Sequence, residues 1–385
     1  MKYTLRPYQQ EAVEAILDNI ASPSNDLVVL PTGAGKSLVI ADAAHRLDEP
    51  VLILSPSREI TAQNRDKMLM YRPEEEVGVY SASFNSQQVR RFTFATIQTV
   101  YKKPELFQDF EYIFIDEAHT CTEANIASMF NQFLGAMKSK VYGFTATPYR
   151  IVRQNPRFEG KFIINKQSTE MIVNPTFMWD KIVYSKNYRY LLREGYLSPI
   201  SIALEFQDRT SSLYVSRISP SNYALKDLLN RASRLKEGTI VFCKSVQQAE
   251  SLARVTDDSA VVHSGIPIKD RDAILQKFKK RETKILFNYE SLLTGFDAPH
   301  IDCIIILRTF SSASQYVQAI GRGTRLSPGK VECEVVDLGK NVKNFGHPED
   351  LNVLCVKGVW LLARKTTRID GVVSEQKMLN PKRRT

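Results

Sequence analysis

The sequence predicts an α/β fold: two doubly wound domains in tandem, each a parallel sheet covered by helices. Three observations carry this. Short runs that are apolar throughout recur along the chain, as strands buried on both faces require. Stretches of helix-like periodicity lie between them, and the alternation starts afresh after a break in the middle.

The first series of strands falls at residues 27–30, 51–54, 92–95, 112–115 and 141–144, with a helix expected over 37–47. The second falls at 239–242, 260–262, 284–287, 303–307 and 333–336, with helices over 246–255 and 270–280. Four segments follow: a first domain at 1–150, a connector at 151–199, a second domain at 200–340 and an extension at 341–385. The connector is aromatic, basic and poor in strand periodicity, with a small helix expected over 188–194. The basic end, Pro381-Lys382-Arg383-Arg384, reads as a frayed tail. No solenoid repeat or low-complexity tract is present.

A chain of 385 residues suits two domains of average size. Its net charge of +10 favours an anionic partner such as nucleic acid. The five cysteines, at 121, 243, 303, 333 and 355, have no CxxC spacing, which argues against a zinc site and against a disulfide framework. The N-terminus lacks the apolar stretch of a secretory signal, and no apolar run is long enough to span a bilayer. A reducing cytoplasm, no membrane and a monomer are the expectations.

The chemistry begins at Leu30-Pro31-Thr32-Gly33-Ala34-Gly35-Lys36-Ser37, after a strand and at the start of a helix. Glycines at 33 and 35 let the backbone curl so that its N–H groups face phosphate oxygens, and the helix N-terminus adds partial positive charge. Lys36 is placed to reach the β- and γ-phosphates and Ser37 to ligate Mg²⁺. The strict pattern has glycine where this chain has Leu30. Asp116-Glu117-Ala118-His119 follows the strand at 112–115, at the strand edge where α/β sheets bind ligands. There Asp116 is expected to hold Mg²⁺ and Glu117 to orient or deprotonate the attacking water. In the second half, Gln318-Ala319-Ile320-Gly321-Arg322-Gly323-Thr324-Arg325 carries two arginines spaced by three. On a helix they share one face, which taken alone reads as a solvated surface and beside the other motifs as a means to neutralise charge on a transferred phosphoryl group.

This ordered set resembles the superfamily 2 helicases, specifically the DEAH-type group of restriction motors and DNA-repair translocases. The resemblance spans residues 3–337 and implies two RecA-like domains with ATP and Mg²⁺ held where the two lobes close. Leu5-Arg6-Pro7-Tyr8-Gln9 looks like the adenine-recognising segment, with Arg6 and Gln9 as contacts. Thr32, Gly33, Ala34, Gly35, Lys36 and Ser37 then cradle the nucleotide, joined by Gly295 and Asp297. Ser55-Pro56-Ser57-Arg58-Glu59 is similar to motif Ia, and Thr96-Ile97-Gln98-Thr99 to the next strand-end motif. Both imply nucleic-acid contacts, at Ser55, Pro56, Arg58, Thr96 and Gln98, with Lys244 and Thr294 in the second domain. Thr145-Ala146-Thr147-Pro148 matches motif III, Leu293-Thr294-Gly295-Phe296-Asp297-Ala298-Pro299 motif V, and the arginine segment motif VI. His119, Thr145, Thr147 and Gln318 are implied to couple strand binding to hydrolysis. His263, also at a strand end, is a further backbone contact in this reading.

In wording the motifs stand nearest the bacterial RadD-type repair ATPases. Those proteins carry a cysteine-rich, zinc-binding C-terminal region, which the scattered cysteines here do not form. The function expected is an ATP-dependent translocase or helicase, bacterial or phage-encoded, acting on single-stranded or branched DNA. An RNA helicase and the motor subunit of a restriction system share these motifs. An ATP-gated clamp that binds without moving is the alternative of another class, and Lys36, Glu117 and the arginine pair argue against it.

Overall fold

The first series of apolar runs pairs into one sheet. The computed structural model describes residues 4–122, 124–153, 157–159, 162–164, 167–171, 178–203, 225, 229–230, 236–293, 295–356, 359–366 and 375–378. The chain divides into two units, Met1–Arg189 with Glu349–Thr385, and Tyr190–Pro348.

In the first unit, helix α1 (Pro7–Leu17) precedes β1 (Asp26–Val29), α2 (Lys36–Arg46), β2 (Val51–Ser55) and α3 (Arg58–Met68). Next come β3 (Val77–Ser81), the short β4 (Ser86–Gln87), β5 (Phe92–Thr96), α4 (Ile97–Val100), β6 (Tyr112–Asp116), α5 (Ala124–Gly135) and β7 (Lys140–Thr145). Strands β8 (Tyr149–Arg153) and β11 (Gln167–Met171) form one antiparallel pair; β9 (Arg157–Glu159) and β10 (Phe162–Ile164) form another. Strand β12 (Lys181–Ser185) closes the series, and the main sheet runs β12-β1-β7-β6-β2-β5-β3-β4. All its pairings are parallel except β3 with β4. Each of the five expected strands is present.

Within the main sheet, β12, β3 and the two-residue β4 were not legible as strands. Strand β12 pairs with β1 at the sheet's edge, so part of the expected connector is built into the first sheet. Its residues are only half-buried, which removes the continuous apolar signal. Strand β3 contains Gly78, whose missing Cβ leaves room for the Gln88 carbonyl, 2.5 Å from where that carbon would stand.

Core packing explains why the central strands read so clearly. Leu52, Leu54, Ile113, Ile115, Phe107 and Phe133 belong to one fully buried cluster, closed by Trp179. Each such side chain contributes about 1.5–3 kcal/mol of burial energy.

The second unit follows helix α6 (Tyr188–Arg193), which lies within the span 188–194 expected from sequence and crosses the division between the units. It contains β13 (Ile200–Ala203), β14 (Thr239–Phe242), α7 (Val246–Ala253), β15 (Ser259–His263), α8 (Ile268–Lys279), β16 (Ile285–Tyr289), β17 (Cys303–Ile306), α9 (Ala313–Gly321), β18 (Cys333–Asp337) and α10 (Asn341–Phe345). Its sheet is parallel throughout, ordered β13-β18-β17-β14-β16-β15. All five expected strands are present; the edge strand β13 is the addition. The chain end, with β19 (Leu351–Val356), β20 (Val359–Thr366) and β21 (Glu375–Met378), forms a three-stranded sheet and groups with the first unit. The basic end at 381–384 lies outside the described residues. Among the described residues no helix is long and apolar enough to cross a membrane.

Candidate ATP site and nucleic-acid interface

Every candidate of the first unit except the adenine segment sits at or just beyond the C-terminal end of a parallel strand, where the sheet opens outward. The phosphate loop leaves buried β1 and turns through Gly33 at φ 85° and Gly35 at φ 79°, backbone that glycine adopts without steric cost. Helix α2 starts directly at Lys36, with Gly35 as its left-handed N-cap. The turn is tied to the neighbouring strand by the Leu30 N–H donating to the Thr145 carbonyl at 3.0 Å.

The adenine segment is bonded to this loop. The Ala34 carbonyl accepts from the Tyr8 hydroxyl at 2.7 Å and from the Gln9 Nε2 at 2.9 Å. A Cβ at Gly35 would lie 2.5 Å from Gln9 Nε2, so glycine is required here for close approach as well as for φ. The other end of the Gln9 amide, Oε1, accepts the Arg6 N–H at 3.0 Å, satisfying that donor at the start of α1. The Gln9 amide thus joins Arg6 to the phosphate loop that runs from Thr32 through Gly33, Ala34 and Gly35 to Lys36 and Ser37. Tyr8 was quoted in the motif but given no role; its buried hydroxyl is a second strut beneath the loop.

The carboxylates stand at the end of β6. Asp116 and Glu117 are both buried, as is Lys36. Asp116 Oδ1 accepts the Glu117 N–H at 2.9 Å, and Oδ2 accepts Asn64 Nδ2 at 2.9 Å. Burial raises the Asp116 pKa, the Glu117 carboxylate raises it further, and Lys36 pulls against both. Two adjacent buried carboxylates beside one lysine are a donor set that a hard divalent cation would stabilise through oxygen ligands. Asp116 and the half-buried Ser37 hydroxyl therefore fit Mg²⁺. The curled loop with Lys36 at its end fits the phosphates of ATP.

Glu117 adopts φ 53°, a left-handed conformation that costs a non-glycine residue about 1–3 kcal/mol and occurs where the surrounding structure enforces it. The Thr120 N–H donating to its carbonyl at 2.9 Å holds the turn. His119 Nδ1 lies 3.0 Å from Thr145 Oγ1 and 3.5 Å from Glu117 Oε2. Thr145 Oγ1 also accepts the Thr147 N–H at 3.0 Å. Burial lowers the His119 pKa against the pull of Glu117, so the neutral ring is favoured. His119, Thr145 and Thr147 are in this way hydrogen-bonded in series, with the Glu117 carboxylate beside the histidine at 3.5 Å.

The expected nucleic-acid contacts occupy the next strand ends. Ser55 and Thr96 are register partners on β2 and β5. Ser55 is buried, Pro56 and Arg58 are half-buried and Gln98 is exposed. Thr96 Oγ1 is 2.9 Å from Thr99 Oγ1. Asn64 was missed by sequence reasoning. It is buried on α3 and donates to Asp116 at 2.9 Å and, more loosely, to Ser55 at 3.4 Å. A single asparagine in a charged helix gives no sequence signal of this.

In the second unit Lys244 is exposed after β14. Gln318 is buried on α9. Thr294 lies outside the described residues. The arginines depart from expectation. Helix α9 stops at Gly321, with Arg322 as its C-cap, so Arg322 and Arg325 do not share a helix face. Gly323 N–H donates to the Ile320 carbonyl and Thr324 Oγ1 to the Gly321 carbonyl, which satisfies the helix end. A Cβ at Gly323 would lie 2.2 Å from Cys333 Sγ, so the chain passes too close to β18 for another residue type. Arg322 is buried and donates to the Phe296 carbonyl at 2.8 Å and the Leu293 carbonyl at 2.6 Å. It clamps the loop that carries Gly295, at φ 73°, and Asp297. Arg325 pairs with Asp297, Nε to Oδ1, at 3.0 Å.

Comparison with known proteins finds matches for both halves of the chain. Residues 2–150 match the family model described as "Type III restriction enzyme, res subunit", and residues 222–327 the "Helicase conserved C-terminal domain". The chain thus has two tandem RecA-like domains, a fold it shares with superfamily 2 helicases. It is similar to the putative ATP-dependent helicase IRC3 of Saccharomyces cerevisiae, 28% identical over 87% of this chain and 51% of that protein. It is also similar to the "DNA 3'-5' helicase XPB" of Kineococcus radiotolerans, 27% identical over 84% of this chain and 57% of the relative. The chain therefore spans a little over half the length of these relatives. Among solved structures, the ATP-dependent Type ISP restriction-modification enzyme LlaBIII bound to DNA shares the fold, with a TM-score of 0.64 at 19% identity. That match covers 87% of this chain and 28% of the enzyme.

Proposed function

We propose that this chain is a nucleic-acid-dependent ATPase that translocates on single-stranded or branched DNA. The observation that carries the reading is the series of neighbouring groups from Asp116 through Glu117 and His119 to Thr145 and Thr147, on the same sheet edge as Ser55 and Thr96. Lys36 holds the phosphates, and Glu117 orients the attacking water and accepts its proton at the carboxylate. Asp116 and Ser37 hold Mg²⁺, which neutralises phosphate charge. Arg325, released from Asp297 and from its longer bond to the Phe296 carbonyl, is the arginine available to a phosphoryl group, while the buried Arg322 is held by two shorter bonds to its loop. His119 carries the state of Glu117 to Thr145, the coupling expected of a DEAH-type motor.

The choice of DNA rests on the relatives named as DNA helicases and on the wording of the motifs, which supports a role of the RadD type in repair or fork processing. Contacts at Ser55, Pro56, Arg58, Thr96, Gln98, Lys244 and Thr294 engage the backbone, so little sequence preference is expected.

Steady-state ATP hydrolysis tests this directly, alone and with single-stranded, duplex or forked DNA or with RNA. DNA is expected to raise turnover. Lys36→Ala is expected to lower it by about 10²–10³-fold, the cost of one phosphate-stabilising donor, without changing the thermal transition. Stimulation by RNA alone would transfer the reading to RNA metabolism, and unchanged turnover in Lys36→Ala would refute the site.

A further inference from the structure

The end of β3 adds something to the strand-end surface that backbone contacts do not explain. Strands β2, β5 and β3 are adjacent and parallel, with Ser55 beside Thr96 and Tyr80 beside Ala95. Their C-terminal ends therefore share one edge. Beyond Ser81 the chain makes a tight turn at Ala82–Phe84, with Asn85 in the left-handed region at φ 50°, and returns as β4. The turn is pinned to the candidate interface: the Ala82 N–H donates to Thr99 Oγ1 at 3.4 Å, and Thr99 Oγ1 is 2.9 Å from Thr96 Oγ1.

In this turn, otherwise made of Ala82, serines, Asn85 and glutamines, sits the aromatic Phe84. It is half-buried and is not part of the hydrophobic core, while the Arg58 guanidinium lies over its ring at 5.0 Å. An arginine on one face fixes the ring by cation–π attraction. A ring so held at a basic edge matches what unpaired bases present, a flat π-face of any sequence.

We propose that Phe84 is a base-stacking platform for single-stranded nucleic acid, positioned by Arg58 and by the Thr96–Thr99 anchor. This rests on the functional reading above and adds a contact to bases where that reading has contacts to phosphates. It also gives the hairpin Val77–Ser81 to Ser86–Gln87 a task, that of carrying the platform to the strand end.

The test uses the full chain and a fluorescent oligothymidylate bearing one 2-aminopurine. Phe84→Ala is expected to bind about 5- to 150-fold more weakly, the loss of one stacked base. Because stacking releases no counterions, the slope of log affinity against log salt is expected to stay as in the native chain. Phe84→Trp is expected to keep the affinity, and 2-aminopurine emission to be quenched by the native and tryptophan chains but not by the alanine variant. Thermal unfolding of each variant separates loss of stacking from loss of fold. Native affinity and quenching in Phe84→Ala would overturn the proposal. So would a reduced salt slope in that variant, since Phe84 would then serve only to hold Arg58. Failure of the native chain to bind either DNA or RNA would instead overturn the functional reading, and this inference with it.

Discussion

Arg322 and Arg325 are equivalent in the sequence and different in the fold. Arg322 is buried with two backbone carbonyls as acceptors, and Arg325 is paired with the half-exposed Asp297. Arg325→Ala is therefore expected to lower kcat by about 10³-fold or more, with nucleotide affinity and thermal stability retained. Arg322→Ala strands the Leu293 carbonyl at about 1–3 kcal/mol and leaves the Phe296 carbonyl only the longer bond from Arg325 Nη1 at 3.3 Å, and is expected to lower the melting temperature as well as the rate. Equal effects on stability would refute the division. Asn64 offers a second contrast. Its amide fixes one oxygen of Asp116, so Asn64→Leu is expected to weaken Mg²⁺ about 10–100-fold, read as the metal's half-saturation in nucleotide binding. What the sequence revealed at this scale was the set of groups with intrinsic chemistry: Lys36, the Asp116-Glu117 pair and the glycines of the loop. Tyr8, Asn64 and the separate fates of the arginines were not legible, because each depends on a partner 25 or more residues away.

Among the elements, the strands buried on both faces were legible and the edge strands were not. Strands β2 and β14 are apolar at nearly every position because helices cover both sides of their sheets. Strands β12 and β13 lie at sheet edges and are only half-buried over most of their length, so their runs mix polar and apolar residues. The segment before β12 nevertheless anchors the first unit. Trp179 is fully buried, and a Cβ on Gly143 of β7 would lie 2.4 Å from its ring and 2.8 Å from Ala118, within the Asp-Glu-Ala-His turn. The glycine is the socket for the indole. Trp179→Ala is expected to cost about 3–5 kcal/mol, measured by denaturant unfolding, because the surrounding strands cannot collapse into the space. A loss below about 1 kcal/mol would mean that the expected connector is not part of this core.

For the whole molecule, the decisive quantity is charge. The chain carries +10, yet many of its arginines are already paired: Arg46 with Glu14 and Asp42, Arg65 with Glu74, Arg91 with Asp48 and Glu76. Net charge raises the rate and range of encounter with a polyanion, but only cations that reach phosphates displace counterions. Arg58 in the first unit, half-buried, and Lys244 in the second, exposed, both stand just beyond strand ends. Each is expected to contribute about 0.7 to the slope of log affinity against log salt on single-stranded DNA. The double variant Arg58→Ala/Lys244→Ala is then expected to lose about 1.4, the sum of two independent phosphate contacts. Arg91→Ala, which removes a charge already matched by Asp48 within the protein, is expected to leave the slope unchanged. If the slope instead followed net charge regardless of position, binding would be a property of the basic surface as a whole, and the strand ends would lose their claim to be the interface.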